Sequence, residues 1–551
     1  MLINFEQIRD EVLISYIKNG NISMKKYSVE NIHAWESTTE RDYTRDDKFK
    51  NYNKEPVRKK RSNRFNKFTQ AEFLYNLPKE DQEEIFSFEP PNIHFFDIET
   101  RFDKSAPRNV DQYVKEANYE VNCISVVNPD FTAQFLSWLP IKDKEGIKTR
   151  VNDYVKQKFD YSYEIEYLLF KDEHEMLTYF FNEIVTKIPV LTGWNCLSFD
   201  WSYLTNRAIN LEIDISVCSP TGKIDVRNFN SPVHRAVLDY LEFVKKWDRK
   251  IKIKENFTLD YIAEAATGLR KIHYDGNLND LFYSDFDHYG FYNIVDSILV
   301  HLIHLKLKTV NIALSLSALC RIPLFKNGSA VVVTETTLYN KLLENHLVVS
   351  DEILNRENIE RLYILNEESY EKLFKKIEDL HVYRKILELR DIVFRTETEF
   401  QEEVSQILTD KDFKRWYPII LKECAEKYGG AFVKDPIIGK YRWVACFDFA
   451  SLYPTTMRQF NISIESLIDK IHRRRVRERR KNCKANGEII CANGSVFYTD
   501  DSILRMIITD LYARRKVEKK RMMEYKEKAD KIKHVMEKIE KKILQLETVG
   551  V

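Results

Sequence analysis

The stretch from residue 90 to residue 99 constrains the fold more than any other part of the chain. A proline pair, Pro90-Pro91, stands directly before the run NIHFFDIE. Prolines mark chain boundaries, and the apolar, β-favouring residues behind them are typical of a buried strand. From there to about Lys308, short strand-like runs such as 124–127 alternate with amphipathic stretches such as 174–185. This alternation predicts an α/β domain.

Length and charge limit the class of protein. A chain of 551 residues is too long for one core and predicts roughly three or four domains. The 86 basic and 85 acidic residues give a net charge of +1, so no overall basic field holds a phosphate backbone, and any nucleic-acid contact must be local. The eight cysteines show neither a C-x-x-C pair nor zinc-ligand spacing, which favours a reducing compartment. The N-terminus has no signal-peptide pattern and no run approaches the ~20 apolar residues of a membrane span, so we expect a soluble cytoplasmic protein without a membrane contact.

Acidic residues stand at the end of the predicted strand. Asp97 and Glu99 are two positions apart, and the period of a strand places both side chains on one face. Two carboxylates on a rigid edge suit hard divalent cations. Taken alone, a D-x-E sequence after a strand is more typical of ordinary solvation at a strand end.

Further along the chain, two more groups of residues extend the acidic set. The run TGWNCLSFD places Asn195, Phe199 and Asp200 at a predicted strand-to-helix junction. Tyr292 and Asp296 are spaced i, i+4 on an apolar helical stretch and therefore share a face. For Tyr292 and Asp296 in isolation, a buried tyrosine beside a surface aspartate is the better explanation, but the three groups occur in a fixed order.

This order, D-x-E, then N-x-x-x-F-D, then Y-x-x-x-D, resembles the three motifs of the DnaQ-like 3′→5′ exonucleases of DNA polymerases. The resemblance implies that two ions of Mg²⁺ or Mn²⁺, ~4 Å apart, would activate a water and stabilise the leaving 3′ oxygen. It assigns Asp97, Glu99, Asp200 and Asp296 to the metals, and Tyr292 to orienting the water.

A second resemblance concerns residues 446–463, which read CFDFASLYPTTMRQFNIS and overlap the apolar run RWVACFDF (442–449), which we expect to form another buried strand. The core D-x-x-S-L-Y-P is similar to motif A of family B DNA polymerases of the T4-like phage type. The resemblance implies that Asp448 binds two further catalytic ions and that Tyr453 lies under the sugar of the incoming nucleotide, excluding a 2′-hydroxyl. It also implies that the nucleotide is contacted by a set of neighbouring residues, namely Phe449, Ser451 and Leu452.

Two flanking features agree with that family. The segment Tyr428-Gly429-Gly430 resembles the Y-x-G-G/A element that guides primer DNA between the two active sites. Arg515 and Lys519 are spaced i, i+4 on a predicted long helix beyond Ile503 and resemble the pair that grips a deoxynucleoside triphosphate. The apolar positions of this helix predict one seam that needs a partner, and they are Ile532, Val535, Met536, Ile539, Ile543 and Leu546.

The family's motif B and motif C do not occur in the sequence. Residues 498–502, YTDDS, are only superficially similar to motif C, since they precede the helix with Arg515 and are expected to be an ordinary loop. We therefore predict the N-terminal subunit of a split phage DNA polymerase. A C-terminal partner polypeptide would supply motifs B and C, the thumb and the contact with a sliding clamp, in the cytoplasm of the infected bacterium. The substrates would be primer-template DNA, single-stranded DNA and deoxynucleoside triphosphates.

The predicted architecture is α/β and α+β multidomain. It comprises an N-terminal domain (1–90), an RNase H-like exonuclease domain (91–308), a return segment of the N-terminal domain with a helical insertion (309–425), a partial palm with motif A (426–501), and the first helix of the fingers (502–551). Two alternatives are a free-standing 3′→5′ exonuclease and a non-enzymatic DNA-binding scaffold. The scaffold is disfavoured because a phosphate-binding surface gains nothing from convergent carboxylates.

Overall fold

The structure, a computed structural model, describes most of the chain. The described residues are 2–29, 33–38, 49–51, 54–61, 67–102, 106–107, 109–251, 255–274, 276, 278–324, 330–349, 363–365, 367–390, 392–394, 397–424, 437–449, 451–470, 479–491 and 494–549. The chain divides into two compact units, Met1–Ala34 with Lys60–Leu343, and Trp35–Lys59 with Glu344–Val551. The domain borders expected from the sequence stay predictions.

The strands and helices follow one another in chain order. The strands are β1 (Leu2–Ile8), β2 (Glu11–Lys18), β3 (Asn21–Ser28), β4 (His33–Ser37), β5 (Lys50–Asn51), β6 (Val57–Arg61), β7 (Ile93–Thr100), β8 (Val121–Val127), β9 (Thr132–Ser137), β10 (Glu164–Leu169), β11 (Val190–Gly193), β12 (Ile224–Asp225), β13 (Ser231–Pro232), β14 (Ala236–Asp239), β15 (Leu347–Val348), β16 (Tyr363–Ile364), β17 (Val393–Phe394), β18 (Leu467–Lys470), β19 (Glu488–Ile490) and β20 (Ser495–Tyr498). The α-helices are α1 (Lys67–Tyr75), α2 (Lys79–Phe86), α3 (Val110–Glu116), α4 (Lys144–Lys156), α5 (Glu173–Tyr179), α6 (Asp200–Asn210), α7 (Tyr240–Trp247), α8 (Leu259–Thr267), α9 (Leu278–Ser284), α10 (Phe286–Leu307), α11 (Thr309–Cys320), α12 (Ala330–Glu344), α13 (Glu367–Lys376), α14 (Leu380–Ile386), α15 (Glu397–Ile407), α16 (Asp410–Lys422), α17 (Leu452–Gln459) and α18 (Ile503–Val549).

A six-stranded sheet forms the centre of the first unit. Its strand order is β10-β9-β8-β7-β11-β14. β8 is antiparallel to both of its neighbours, β7 and β9, while β11 runs parallel to β7, and β14 parallel to β11. Adjacent residues of β7 bury their side chains on opposite faces, Phe95 in one apolar cluster and Phe96 in the other. The sheet is thus covered by helices on both faces, as expected for an α/β fold.

The helix α10 crosses one face of this sheet. Most of its 22 residues are buried, and its apolar positions, among them Ile294 and Ile298, pack in the same cluster as Phe95. The helix begins at an Asp285 cap, whose carboxylate accepts a hydrogen bond from the His288 amide at 3.0 Å. The helix predicted from the sequence around Tyr292 and Asp296 is confirmed.

Among the described residues, no single helix is long and apolar enough to cross a membrane. The helices α10 and α11 meet that criterion of length and composition only when taken together, and the chain bends by 58° between them.

The second unit contains several small elements. A helical module is built from α13 to α16 and the pair β16–β17 around its own apolar cluster, which includes Leu373, Phe400 and Ile420. This confirms the helical pattern predicted for the insertion. A three-stranded sheet of order β18-β20-β19 lies between α17 and α18 in the chain. The long C-terminal helix predicted from the sequence is confirmed as α18.

One prediction is wrong. The run RWVACFDF was expected to form a buried strand, but residues 442–449 form no strand, and Trp443 is 99% and Phe447 91% exposed. A strand requires a neighbouring backbone to bond with. Within the described residues no strand pairs with this segment, so its apolar side chains lie in solvent.

Candidate functional site

The acidic pair lies where the sequence places it, on β7 in the centre of the sheet. Asp97 and Glu99 are partly buried and stand opposite Ser125 and Cys123 of β8. Their spacing of two in a confirmed strand puts both carboxylates on the face that α10 crosses.

The helix α10 brings a third carboxylate to this pair. Asp296 is 2% exposed, and one oxygen each of Asp97, Glu99 and Asp296 lie within 4.8 Å of one another. Tyr292, one turn earlier on the same face, is partly buried beside them. The Oδ1 atom of Asp296 is buried and has no hydrogen-bond partner among the described residues.

Asp200 is the first residue of α6 and lies next to the backbone of β7. Its Oδ1 atom accepts a long hydrogen bond from the Ile98 amide at 3.4 Å, and the residue is 5% exposed. Gly193 lets β11 approach β7 closely, because a Cβ atom there would lie 2.6 Å from the carbonyl oxygen of Phe96. Asp200 thus adjoins the three-carboxylate cluster without belonging to its tightest group.

A buried aspartate that the sequence did not reveal holds the loop before Asp200. Asp239 accepts hydrogen bonds from the amides of Asn195 at 3.1 Å and Leu197 at 3.3 Å. Asn195 itself has a left-handed backbone with φ of 60°. The pKa of Asp239 is raised to about 6 by burial, against the lowering effect of these amide donors.

A lysine that the sequence also did not reveal supplies the only positive charge paired with the cluster among the described residues. The Lys271 ammonium lies 2.6 Å from Oδ2 of Asp296 and 5.1 Å from the centre of the Tyr292 ring. Burial alone would lower the pKa of Lys271, but the charges of Asp296 and Asp97 raise it. No spacing rule indicates this contact, since Lys271 lies in a loop 25 residues before Asp296.

Burial and mutual repulsion disturb the acids of this site. Burial raises the pKa of Asp97, and the charges of Asp200, Asp296 and Glu99 raise it further. Burial also raises the pKa of Glu99 to about 8 and that of Asp200 to about 7. Burial raises the pKa of Asp296 to about 6 despite the opposing charge of Lys271. A cluster of this kind is costly to ionise unless cations neutralise it.

The donor set fits a hard divalent cation. Carboxylate oxygens are the ligands that Mg²⁺ and Mn²⁺ prefer, and the buried Oδ1 of Asp296, which accepts no hydrogen bond from the described part of the chain, has lone pairs for such an ion. The cluster of Asp97, Glu99 and Asp296 can therefore hold a metal ion.

The second candidate site lies in the other unit, around Asp448. Asp448 and Phe449 are exposed, and Ser451 has a left-handed backbone with φ of 55° just before α17. Leu452 and Tyr453 are exposed on the first turn of α17.

The helix α18 lies against α17. The Arg458 Nε atom donates to the Thr509 hydroxyl at 3.1 Å, and the Arg515 guanidinium lies 3.5 Å from the Ser451 hydroxyl. Arg515 thus contacts the D-x-x-S-L-Y-P segment that begins at Asp448. Lys519 is exposed one turn further along α18. Tyr428, Gly429 and Gly430 lie outside the described residues.

Tyr498 is the last residue of β20, and residues 499–502 form the connecting loop that follows it. The buried side chain of Asn461 donates to the carbonyl oxygens of Tyr498 at 2.7 Å and Asp500 at 2.6 Å, and accepts from the Ser502 amide at 3.0 Å. The loop leads directly into α18, which agrees with the prediction that YTDDS is an ordinary connection.

Comparison with known protein families gives two matches along the chain. The sequence profile of the exonuclease domain of DNA polymerase family B matches residues 33–275, and that of DNA polymerase family B matches residues 325–544. The chain belongs to family B of the DNA polymerases.

Individual relatives include phage and archaeal enzymes. The DNA-directed DNA polymerase of Escherichia phage RB69 is 26% identical over 393 residues, which cover 68% of this chain and 35% of the relative. That of Enterobacteria phage T4 is 24% identical over 388 residues, with the same coverage of 68% and 35%. DNA polymerase 1 of Sulfolobus acidocaldarius is 26% identical over 310 residues, 54% of this chain and 28% of the relative. The chain thus spans about a third of the length of the phage relatives that it matches.

The raised pKa values predict a pH dependence of stability. Between about pH 4, where these carboxyls ionise in the unfolded chain, and about pH 8, the folded state binds more protons than the unfolded state. Stability therefore falls as pH rises through this window. In EDTA, the thermal unfolding midpoint of the chain should decrease from pH 6 to pH 8, and Asp97→Asn with Glu99→Gln should flatten the decrease. If the unfolding midpoint fell equally with pH in both proteins, the raised pKa values of Asp97 and Glu99 would be contradicted.

The ion pair between Lys271 and Asp296 leads to a second prediction, on the stability of the metal-free chain and its response to Mn²⁺. Its replacement by Met removes the counter-charge of Asp296, so at pH 8 the metal-free chain should unfold at a lower temperature. Added Mn²⁺ should then raise the midpoint by more than it does in the unchanged chain. Lys148→Met, which breaks an exposed ion pair with Glu164, is the matched control and should leave the Mn²⁺ response unchanged.

Proposed function

We propose that the chain is the N-terminal part of a phage replicative DNA polymerase. We propose further that it removes 3′-terminal nucleotides of DNA at the cluster of Asp97, Glu99 and Asp296. The observation that carries this proposal is the convergence of Asp97, Glu99 and Asp296 within 4.8 Å on a rigid strand and a buried helix. The topology supports it, because the antiparallel order β9-β8-β7 followed by the parallel strands β11 and β14 agrees with an RNase H-like domain.

The chemistry would be hydrolysis of the terminal phosphodiester. Bound Mg²⁺ or Mn²⁺, two ions per site, would supply Lewis-acid activation and charge neutralisation. Asp97, Glu99, Asp200 and Asp296 would hold the ions, and the Tyr292 hydroxyl would orient the water. Water adds to the phosphorus, the bond to the 3′ oxygen breaks, and the 3′ hydroxyl takes up a proton.

The polymerase half of the proposal rests on Asp448 and its surroundings. Asp448 would bind catalytic ions, Tyr453 would exclude a 2′-hydroxyl, and Arg515 with Lys519 would hold the triphosphate. The approach of Arg515 to Ser451 supports this grouping. Primer DNA would pass along Tyr428, Gly429 and Gly430.

We further infer that DNA synthesis requires an additional polypeptide, which carries motifs B and C and the thumb. The exposed apolar residues of the segment 442–449 support this inference. So does the exposed seam of α18, whose apolar positions lie three, four or seven residues apart and suit a partner helix: Met522, Tyr525, Ile532, Met536, Ile539 and Ile543. We propose that this polypeptide is a separate subunit in the infected bacterium and that it binds a sliding clamp.

The exonuclease assignment is tested by paired carboxylate variants. With Mg²⁺ and 5′-labelled single-stranded DNA, Asp97→Ala with Glu99→Ala should lower degradation by at least ~10³-fold, because the cation ligands are lost. Glu164→Ala with Glu166→Ala is the matched control, since these glutamates have the same spacing on the edge strand β10 but are exposed. If Asp97→Ala with Glu99→Ala still degraded DNA in a metal-dependent way, the proposed exonuclease site would be wrong.

The polymerase assignment needs a mixture. Primer extension by the chain together with a polypeptide carrying motifs B and C should be lost in Asp448→Ala, while degradation of single-stranded DNA is kept. Asp500→Ala should extend primers normally, because the loop that contains it is predicted to be structural. If Asp448→Ala supported synthesis, or Asp500→Ala abolished it, the assignment would be wrong. Degradation without extension in every mixture would favour a free-standing exonuclease.

A further inference from the structure

The helix α10 carries a second polar stripe beside the Tyr292–Asp296 face. Asn293 and Ser297 are one turn apart and are both 0% exposed. The Asn293 amide nitrogen donates to Oδ2 of Asp97 at 2.8 Å. A buried side-chain amide thus contacts a proposed cation ligand directly.

The backbone around Asn293 is fixed by a serine of β8. The Ser125 hydroxyl lies 3.0 Å from the Asn293 carbonyl oxygen and 2.6 Å from the Ser297 hydroxyl. Ser125 is also the residue opposite Asp97 in the β7–β8 ladder. The sheet therefore sets both the position of the Asp97 carboxylate and that of the amide that meets it.

The other end of the Asn293 amide is a feature that packing alone does not explain. Its Oδ1 atom is buried without a hydrogen-bond partner among the described residues. A buried unsatisfied acceptor costs free energy, so an apolar residue would serve packing better at this position. The hydrogen bond that Asn293 donates to Asp97 can offset that cost, and it also restricts the orientation of the Asp97 carboxylate.

We propose that Asn293 is a positioning residue, which holds the Asp97 carboxylate in the orientation that binds the catalytic cation. The inference rests on the proposed exonuclease function. Hydrogen bonds to metal-binding carboxylates fix their rotamers, and loss of such a partner typically weakens metal binding or activity by ~10- to 100-fold.

The chain offers a matched control in Asn122. This asparagine is 1% exposed, and its Oδ1 atom is likewise buried without a partner among the described residues. Its amide nitrogen, however, donates to the Tyr289 hydroxyl at 2.9 Å and not to a carboxylate. Asn122→Leu and Asn293→Leu therefore remove similar buried groups, but only the second touches a proposed ligand.

The experiment measures binding of Mn²⁺ to the metal-stripped full chain by electron paramagnetic resonance, together with the Mn²⁺ dependence of DNA degradation. We expect Asn293→Leu to raise the dissociation constant for Mn²⁺ by ~10-fold and Asn122→Leu to leave it unchanged. Asn293→Ala, which also removes the donor but packs differently, should shift the constant equally, and it replaces the Leu variant if that variant fails to fold.

An unchanged constant in the Asn293 variants would overturn the proposal, and so would an equal loss in Asn122→Leu, since that would indicate general loosening. Because Mn²⁺ binding is measured without DNA, a chain that binds Mn²⁺ but degrades no DNA would refute the proposed exonuclease and still decide the role of Asn293.

Discussion

The crossing of α10 over the β7–β8 pair is the constraint on which the candidate exonuclease site depends. It places Asp296 against Asp97 and Glu99, with carboxylate oxygens within 4.8 Å of one another. Like charges at such a separation in a partly dehydrated place oppose folding. The apolar packing of Phe95 beneath α10 must outweigh that repulsion.

The chain reduces the repulsion through several different contacts. Lys271 pairs with Asp296, Asn293 donates to Asp97, and the Ile98 amide donates to Asp200. None of these neutralises the whole set, because one lysine faces four acids in the described part of the site. The remaining negative potential favours binding of a divalent cation. The incomplete neutralisation of the four acids is therefore consistent with a binding site, whereas in a purely structural cluster it would only destabilise the fold.

Local periodicity made part of this site predictable. The period of a strand put Asp97 and Glu99 on one face, and the i, i+4 spacing put Tyr292 beside Asp296; both elements are confirmed. Lys271, Asp239 and Asn293 were not predicted, because their roles arise from contacts between elements distant in sequence. The buried strand expected at 442–449 was wrong for a related reason. Apolar composition indicates that a segment can be buried, but burial also needs a neighbouring strand, which no local pattern supplies.

The two candidate sites differ in how far the described residues complete them. All the carboxylates of the first site come from one unit, which has its own apolar core. Asp448 lies instead in an exposed segment, next to apolar side chains such as Trp443 and Phe447 that water surrounds. Exposed apolar residues in a row favour non-specific association unless another surface covers them. A contact that buried this segment would also fix the direction of Asp448, so at the proposed polymerase site a gain in folding stability would accompany the assembly of the proposed catalytic geometry.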